Sequence, residues 1–299
     1  MIPELIIKQI VHKENLLSFD LIPTGQSNKL KFIGRDTNAN VYYFEALPSN
    51  QTDSIRLFKY FEKPELINVY KLDDFWIHKF SVLPEQAIRI DRLFSSFLCS
   101  NYFLENVTEN ILCKISSIHD STLFFTDHYD FQTLLSNVKY YRQYFESLLN
   151  SIKCDKPFAI IHGDFHLKNM YFLDNNIYLL DYEYAGYESV FIDYIKLETS
   201  MLIHLNRKDF IWHFESNEYS KYLTPSMFLN SNCKLINIVR NYAYSKLSVM
   251  TYDAFYKTYI LYIYYYFTRF MLNDANSTRN KVFVKSITKY IHRLTSHWQ

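Results

Sequence analysis

Apolar and polar positions alternate with a period of two in three early segments, residues 17–25 (LSFDLIPTG), 29–36 (KLKFIGRD) and 41–47 (VYYFEAL). That period places side chains alternately on the two faces of a half-buried strand, and TGQSN and DTNAN supply turn-forming residues between the segments. The pattern predicts a small antiparallel sheet. Residues 54–66 (SIRLFKYFEKPEL) read as a short helix, and residues 67–82 as two further strands broken at Asp73-Asp74. A linker is expected near Leu83-Pro84-Glu85. From Ala87 the spacing changes to three and four, the signature of amphipathic helices, in residues 87–98, 106–120 and 131–152. Two short strands interrupt this helical portion, FAIIHGD (158–164) and NIYLLDYE (176–183), separated by a loop and a turn at Asp174-Asn175-Asn176. The remainder, from Phe191 through the aromatic stretch to Trp298, is helical by period. The expected organisation is α+β, with a β-rich portion over residues 1–82 and a larger, mainly helical portion over 83–299.

Composition narrows the function. With 48% hydrophobic and 21% charged residues, the 299-residue chain has enough apolar material for a sizeable core. A net charge of +1, from 32 basic against 31 acidic residues, supplies no global field for a nucleic-acid polymer or an anionic membrane. No apolar run approaches the roughly 20 residues of a spanning helix, and the first fifteen residues meet Lys8 too early for a secretory signal. Four cysteines without a C-x-x-C pair argue against a zinc knuckle, a dithiol motif or a disulfide framework, which predicts a cytoplasmic protein.

Chemistry concentrates between Ile160 and Leu197, where polar residues directly follow apolar strands. Asp164 follows Ile160-Ile161-His162-Gly163, Asn169 lies five residues on, and Asp181 ends the next apolar run. If the two strands pair as a hairpin, Asp164, Asn169 and Asp181 converge at one end. Two carboxylates and an amide oxygen form the hard, oxygen-only set that suits Mg²⁺, which also leans on substrate phosphates. His162 and His166 flank Asp164, but Gly163 breaks the helical geometry that a zinc pair at this spacing needs. Taken singly, each aspartate reads first as a turn residue or helix cap, and it is the joint pattern that reverses this.

Together these residues resemble a known pattern. His162-Gly163-Asp164-Phe165-His166-Leu167-Lys168-Asn169 is similar to the H-G-D-x-H-x-x-N loop of the aminoglycoside phosphotransferase and choline kinase families. Leu180-Asp181-Tyr182-Glu183-Tyr184-Ala185-Gly186-Tyr187 resembles the metal-binding segment of choline and ethanolamine kinases, and Phe191-Ile192-Asp193-Tyr194 resembles the segment that opens the next helix. The resemblance implies a bilobal protein-kinase-like fold and an ATP- or GTP-dependent kinase that phosphorylates a hydroxyl of a small, cationic metabolite or an aminoglycoside-like acceptor. It implies Asp164 as the catalytic aspartate, Asn169 and Asp181 as Mg²⁺ ligands, and Glu183 near the acceptor. His162, His166 and Asp193 are expected to support the loop, and Lys168 to be solvated. Gly25, Ser27 and Asn28 resemble the family's phosphate loop, and Trp76 and His78 fall where a strand borders the adenine.

One departure bears on activity. The family places a Lys or Arg on the third strand to reach nucleotide phosphates, and here the matching position holds Glu45 or Ala46. Arg56, Lys59, Lys29 and Lys31 are the candidate substitutes, and a degenerate kinase-like protein that binds a ligand or partner is the alternative reading. Protein phosphorylation is disfavoured, since His166 stands where protein kinases usually carry lysine. Nine tyrosines between Tyr242 and Tyr266 offer an aromatic box for a cationic acceptor, with Asp253, Asp274, Glu183 and Glu188 as anions. Core packing explains most of them more economically in a chain with 27 tyrosines and 25 phenylalanines.

Overall fold

The computed structural model describes residues 2–22, 30–48, 66–83, 86–96, 99–126, 146, 152, 156–182, 184–204, 218–266, 287 and 289–296. The chain divides into two compact units, Met1–Ile88 with Phe172–Glu183, and Arg89–Tyr171 with Tyr184–Gln299. The segment Phe172–Glu183, which the sequence assigns to the helical portion, thus groups with the first unit.

The first unit opens with helix α1 (Ile2–Lys13), which the strand-centred reading of the sequence leaves unassigned. Five strands follow: β1 (Leu16–Leu21), β2 (Leu30–Asp36), β3 (Val41–Pro48), β4 (Leu66–Leu72) and β5 (Phe75–Ser81). They form one sheet in the order β1-β2-β3-β5-β4, antiparallel throughout. The turns fall where the sequence predicts them. Asp36 accepts the backbone N–H groups of Asn38 and Asn40, each at 2.9 Å, and Asp73 takes φ +48° between β4 and β5.

Alternation gives this sheet two different faces. Ile6 and Ile10 of α1 pack with Leu16, Phe32, Phe44, Ala46 and Ile77 as the unit's core, where the Phe32 and Phe44 rings stack at 4.8 Å. On the other face, Lys31, Glu45 and His78 stand in one cross-strand row, because Lys31 is registered opposite Glu45 and Glu45 opposite His78. Glu45 and His78 are nevertheless buried, at 6% and 0% exposure.

A two-residue strand, β6 (Ile88–Arg89), spans the division between the units in sequence and leads into α2 (Ile90–Ser95) and then α3 (Asn101–Asp120) of the second unit. Ser100 caps α3 by accepting the Phe103 N–H at 3.1 Å. Strand β8 (Lys156–Ile161) is buried along its whole length and lies between β7 (Phe124–Thr126) and β11 (Gly186–Ser189). Helices α4 (Phe191–His204), α5 (Lys234–Lys246) and α6 (Tyr252–Tyr266) complete the described core, with α4 packed on α6 and α3 on α5 and β8. Nearly all of the helices expected over residues 54–66 and 131–152 lies outside the described residues, and Leu66, placed at the end of the first, instead opens β4.

One expected pairing is different. Strand β8 does not pair with β10 (Asn176–Leu179), since its two edges are taken by β11 and β7. The neighbour of β10 is β9 (Met170–Leu173), a strand that the sequence reading treats as loop. Asp174 and Asn175, at φ +49° and +61°, join the two in a two-residue hairpin turn that gives β10 a partner close in sequence.

Candidate functional site

The strand-to-loop transition after β8 is built around a buried carboxylate. Asp193, two residues into α4 and 0% exposed, accepts the backbone N–H of His162 and of Gly163, both at 2.9 Å. His119 of α3 approaches it through Nε2 at 3.1 Å; a carboxylate only accepts, so that nitrogen carries the proton. Three donors thereby fix the chain where it leaves the strand. Gly163 takes φ +74°, and a Cβ there would meet the Tyr184 carbonyl oxygen at 2.0 Å, so neither conformation nor space admits a side chain.

Beyond Gly163 the loop alternates anchors with polar groups. Phe165 and Leu167 are fully buried, the Leu167 N–H donates to Ser200 Oγ at 2.9 Å, and residues Leu167–Asn169 close a 3₁₀ turn. Asp164, His166 and Asn169 are thereby brought together. Asn169 Nδ2 donates to Asp164 Oδ2 at 3.0 Å and to the Asp164 carbonyl at 3.1 Å, and His166 Nε2 lies 3.2 Å from the same Oδ2. His162 supports the turn by accepting the Asp164 N–H at Nδ1, 3.2 Å away. Lys168 is exposed, as expected.

Sequence reasoning missed the next partner. Lys196 of α4, with 4% of its side chain exposed, places Nζ 2.9 Å from Asp164 Oδ1 and donates also to the Gly163 carbonyl. Asp164 itself keeps 23% exposure. Burial raises a carboxyl pKa, but the His166 hydrogen bond and the Lys196 charge outweigh it and hold Asp164 well below the usual carboxylate range. With the nitrogen end of Asn169 fixed on an acceptor-only group, its amide oxygen is the end left over.

The first unit contains Asp181. It has the left-handed φ of +62°, unusual for a residue with a side chain and costly without compensating contacts. Lys31 Nζ donates to Asp181 Oδ2 at 3.1 Å and lies 3.7 Å from Glu45 Oε1. Asp181 Oδ1 is buried without a hydrogen-bond partner among the described residues. An acceptor in that state is costly unless another donor or a cation occupies it, so the donor set fits a hard divalent ion. Among the described residues no three of His, Cys, Asp and Glu gather in one place. Tyr182 is buried beside Asp181, its hydroxyl bonded to the Leu179 carbonyl.

His78 and Trp76 lie on β5, His78 in the row with Glu45 and Lys31. Gly25, Ser27, Asn28 and Glu183 lie outside the described residues. The tyrosines of α6 do not form an open box: Tyr256, Tyr259, Tyr262, Tyr264 and Tyr265 are core residues, with Phe191 packed on Tyr259 and stacked on Tyr262. Of the proposed anions, Asp253 pairs with Lys257 at 2.8 Å on the surface, Glu188 accepts the Ser189 N–H at 3.0 Å, and Asp274 is outside the described residues. Among the described residues no helix is long and apolar enough to cross a membrane.

No protein-family model and no curated protein matches the sequence. Solved structures do. The chain is similar to the amicoumacin kinase hAmiN, determined with AMP-PNP, Ca²⁺ and Ami, at TM-score 0.54 and 11% identity, covering 98% of this chain and 93% of that one. A choline/ethanolamine kinase family protein from Mesorhizobium loti aligns at TM-score 0.51 and 11% identity, over 99% and 95% of the two chains. The macrolide 2′-phosphotransferase MphH from Brachybacterium faecium aligns at 0.50 and 9% identity, over 94% and 96%. At such identities the likeness is one of fold, and the fold is protein-kinase-like, with its antiparallel sheet in the first unit and its helices concentrated in the second.

Proposed function

We propose that this protein-kinase-like chain is a small-molecule phosphotransferase, moving the γ-phosphoryl group of ATP or GTP to a hydroxyl of a small acceptor. The observation that carries the reading is Asp164: a carboxylate at the end of a buried strand, held ionised and aimed by Asn169, His166 and Lys196, in a chain of this fold. In this role Asp164 accepts a hydrogen bond from the acceptor hydroxyl. The hydroxyl oxygen bonds to the γ-phosphorus, the bond to the β,γ-bridging oxygen breaks, and the nucleoside diphosphate leaves. A carboxylate held so far below its ordinary pKa is a poor base, so Asp164 serves first by orientation. It takes the proton late, when the new P–O bond has made the hydroxyl acidic.

Asn169, through its amide oxygen, and Asp181, through its unpartnered oxygen, are the residues assigned to Mg²⁺. Held by such oxygens, Mg²⁺ would supply charge neutralisation for the transferring group. Lys31 takes the part of the basic residue missing from β3, since its ammonium already sits beside Asp181. This offsets the feature that favours a non-catalytic, ligand-binding protein. Gly25, Ser27, Asn28 and Trp76 are assigned to the nucleotide, with the fully buried His78 serving it from behind as part of the strand, Glu183 to the acceptor, and His162, His166 and Asp193 to support of the loop. An amino-alcohol or aminoglycoside acceptor rests on the text from Leu180 to Tyr187 alone, because a fold does not fix a substrate.

The test has two stages. Mg²⁺ with ATP or GTP is expected to raise the melting temperature. In a panel of hydroxyl metabolites followed by nucleotide consumption, Asp164→Ala is expected to lower turnover by about 10²- to 10⁴-fold. Absence of stabilisation by either nucleotide, or turnover indifferent to the substitution, refutes the reading.

A further inference from the structure

We propose that Lys196 is a positioning residue, tying Asp164 Oδ1 to the Gly163 carbonyl so that one acceptor site on that oxygen stays open to receive the substrate hydroxyl. The inference rests on the phosphotransferase reading of Asp164 and adds to it the atom at which the acceptor docks.

An ionised carboxylate offers about four acceptor sites, two on each oxygen. Asp164 Oδ2 carries Asn169 Nδ2 at 3.0 Å and His166 Nε2 at 3.2 Å, which fills it. Oδ1 carries Lys196 Nζ at 2.9 Å and so retains one site, on a side chain that is 23% exposed. A new hydroxyl therefore meets Oδ1, next to an ammonium. Lys196 suits this placement because it is a compact point charge on a flexible stem and covers one lone pair. It is also doubly tied: the same Nζ holds the Gly163 carbonyl, so its position follows the loop backbone rather than solvent, and Tyr184 lays its ring 5.6 Å from the ammonium. An arginine at this point would present a planar fork and cover the remaining site.

That difference separates positioning from simple structural support. We would measure nucleotide consumption, with the hydroxyl panel and with water as acceptor, for the full chain and for Lys196→Arg and Lys196→Met. Melting temperature with and without Mg²⁺ and ATP would be recorded for each. Lys196→Arg is expected to fold, to keep the nucleotide-induced shift and the KM for ATP within about threefold, and to lose kcat by about thirtyfold or more. Lys196→Met is expected to lose kcat by at least as much; should it fail to fold, the arginine variant alone decides. A purely structural lysine would leave the arginine variant folded and active, and that result overturns the proposal. A nucleotide shift lost together with kcat in Lys196→Arg overturns it also, since the residue then serves binding. A wild-type chain that responds to nucleotide and turns it over, with an unaffected arginine variant, refutes only the role of Lys196. A wild-type chain that neither binds nor consumes nucleotide refutes the phosphotransferase reading and this inference with it.

Discussion

Two acid–base pairs lie within the second unit and differ in how completely they are closed. Glu198 and Arg240 are both 0% exposed. Glu198 Oε1 takes Arg240 Nη2 and the Tyr219 hydroxyl, each at 2.6 Å, and Oε2 takes Arg240 Nε and the Tyr259 hydroxyl, each at 2.9 Å. Arg240 Nη1 spends its donors on the Tyr222 and Phe228 carbonyls, at 2.6 and 3.0 Å, and the guanidinium lies 4.3 Å from the Phe228 ring centre. Every acceptor site of that carboxylate is used. Asp164 keeps one open, and in the first unit Asp181 keeps a whole oxygen. A buried charge with no remaining capacity can only hold structure, whereas one left short is prepared for a partner that arrives later.

The largest effect expected from this contrast is on stability. Arg240→Met strands Glu198 without compensation and should cost about 3–5 kcal/mol, read as a fall in melting temperature, with nucleotide binding by the folded fraction unchanged. Melting like that of the wild type would break the contrast. Next comes the open pair in the first unit. Lys31→Glu should weaken nucleotide affinity by roughly tenfold, about 1.4 kcal/mol, in a thermal-shift titration. Because Lys31 is registered directly opposite Glu45, exchanging the two (Lys31→Glu with Glu45→Lys) should recover affinity to within about threefold of the wild type. Affinity indifferent to Lys31→Glu would remove Lys31 from the site. Asp181→Asn should change the melting temperature little and reduce the Mg²⁺ dependence of nucleotide binding.

The smallest effect concerns Asp36, a half-buried carboxylate at the end of β2 that is well satisfied. Desolvation raises its pKa, but the hydrogen bonds from Asn40, Asn38 and Tyr42 together outweigh this and hold it below the ordinary carboxylate value. A depressed carboxyl stabilises the fold above its unfolded pKa, and the contribution fades as pH falls through the folded value. Asp36→Asn should therefore lower stability slightly at neutral pH, and the gap from the wild type should close as pH falls from about 4 towards strong acid.

The legible part of the molecule was the part written in consecutive letters. Strands β1 to β5 announce themselves by alternation and by their turn residues, and Asp164, His166 and Asn169 share one loop whose geometry follows from Gly163 and the buried Phe165 and Leu167. The two lysines behave differently. Lys196 meets Asp164 across 32 residues, and Lys31 meets Asp181 across 150, so neither contact has a local signature. Strands β9 and β11 have four residues each, too few to establish a period, so the sequence offers β8 as a conditional partner for β10 and leaves β9 unseen. Helix α1 does carry a period in Ile6, Ile7 and Ile10, but those isoleucines have meaning only once the sheet beneath them exists.

Gly163 and Gly186 stand close in the text yet face opposite fates under mutational drift. An alanine at 186 would meet no atom within 4 Å, so that position is free to wander between generations. At 163 even a methyl group would collide with the main chain of Tyr184, and no compensating change of side chain nearby can move a carbonyl out of the way. Among the described glycines, Gly163 is the one where a left-handed φ and a main-chain collision both oppose a side chain, whereas at Gly34 the nearest atom is the end of the Leu16 side chain; loss of Gly163 is therefore the change a library of random variants should return least often in folded form.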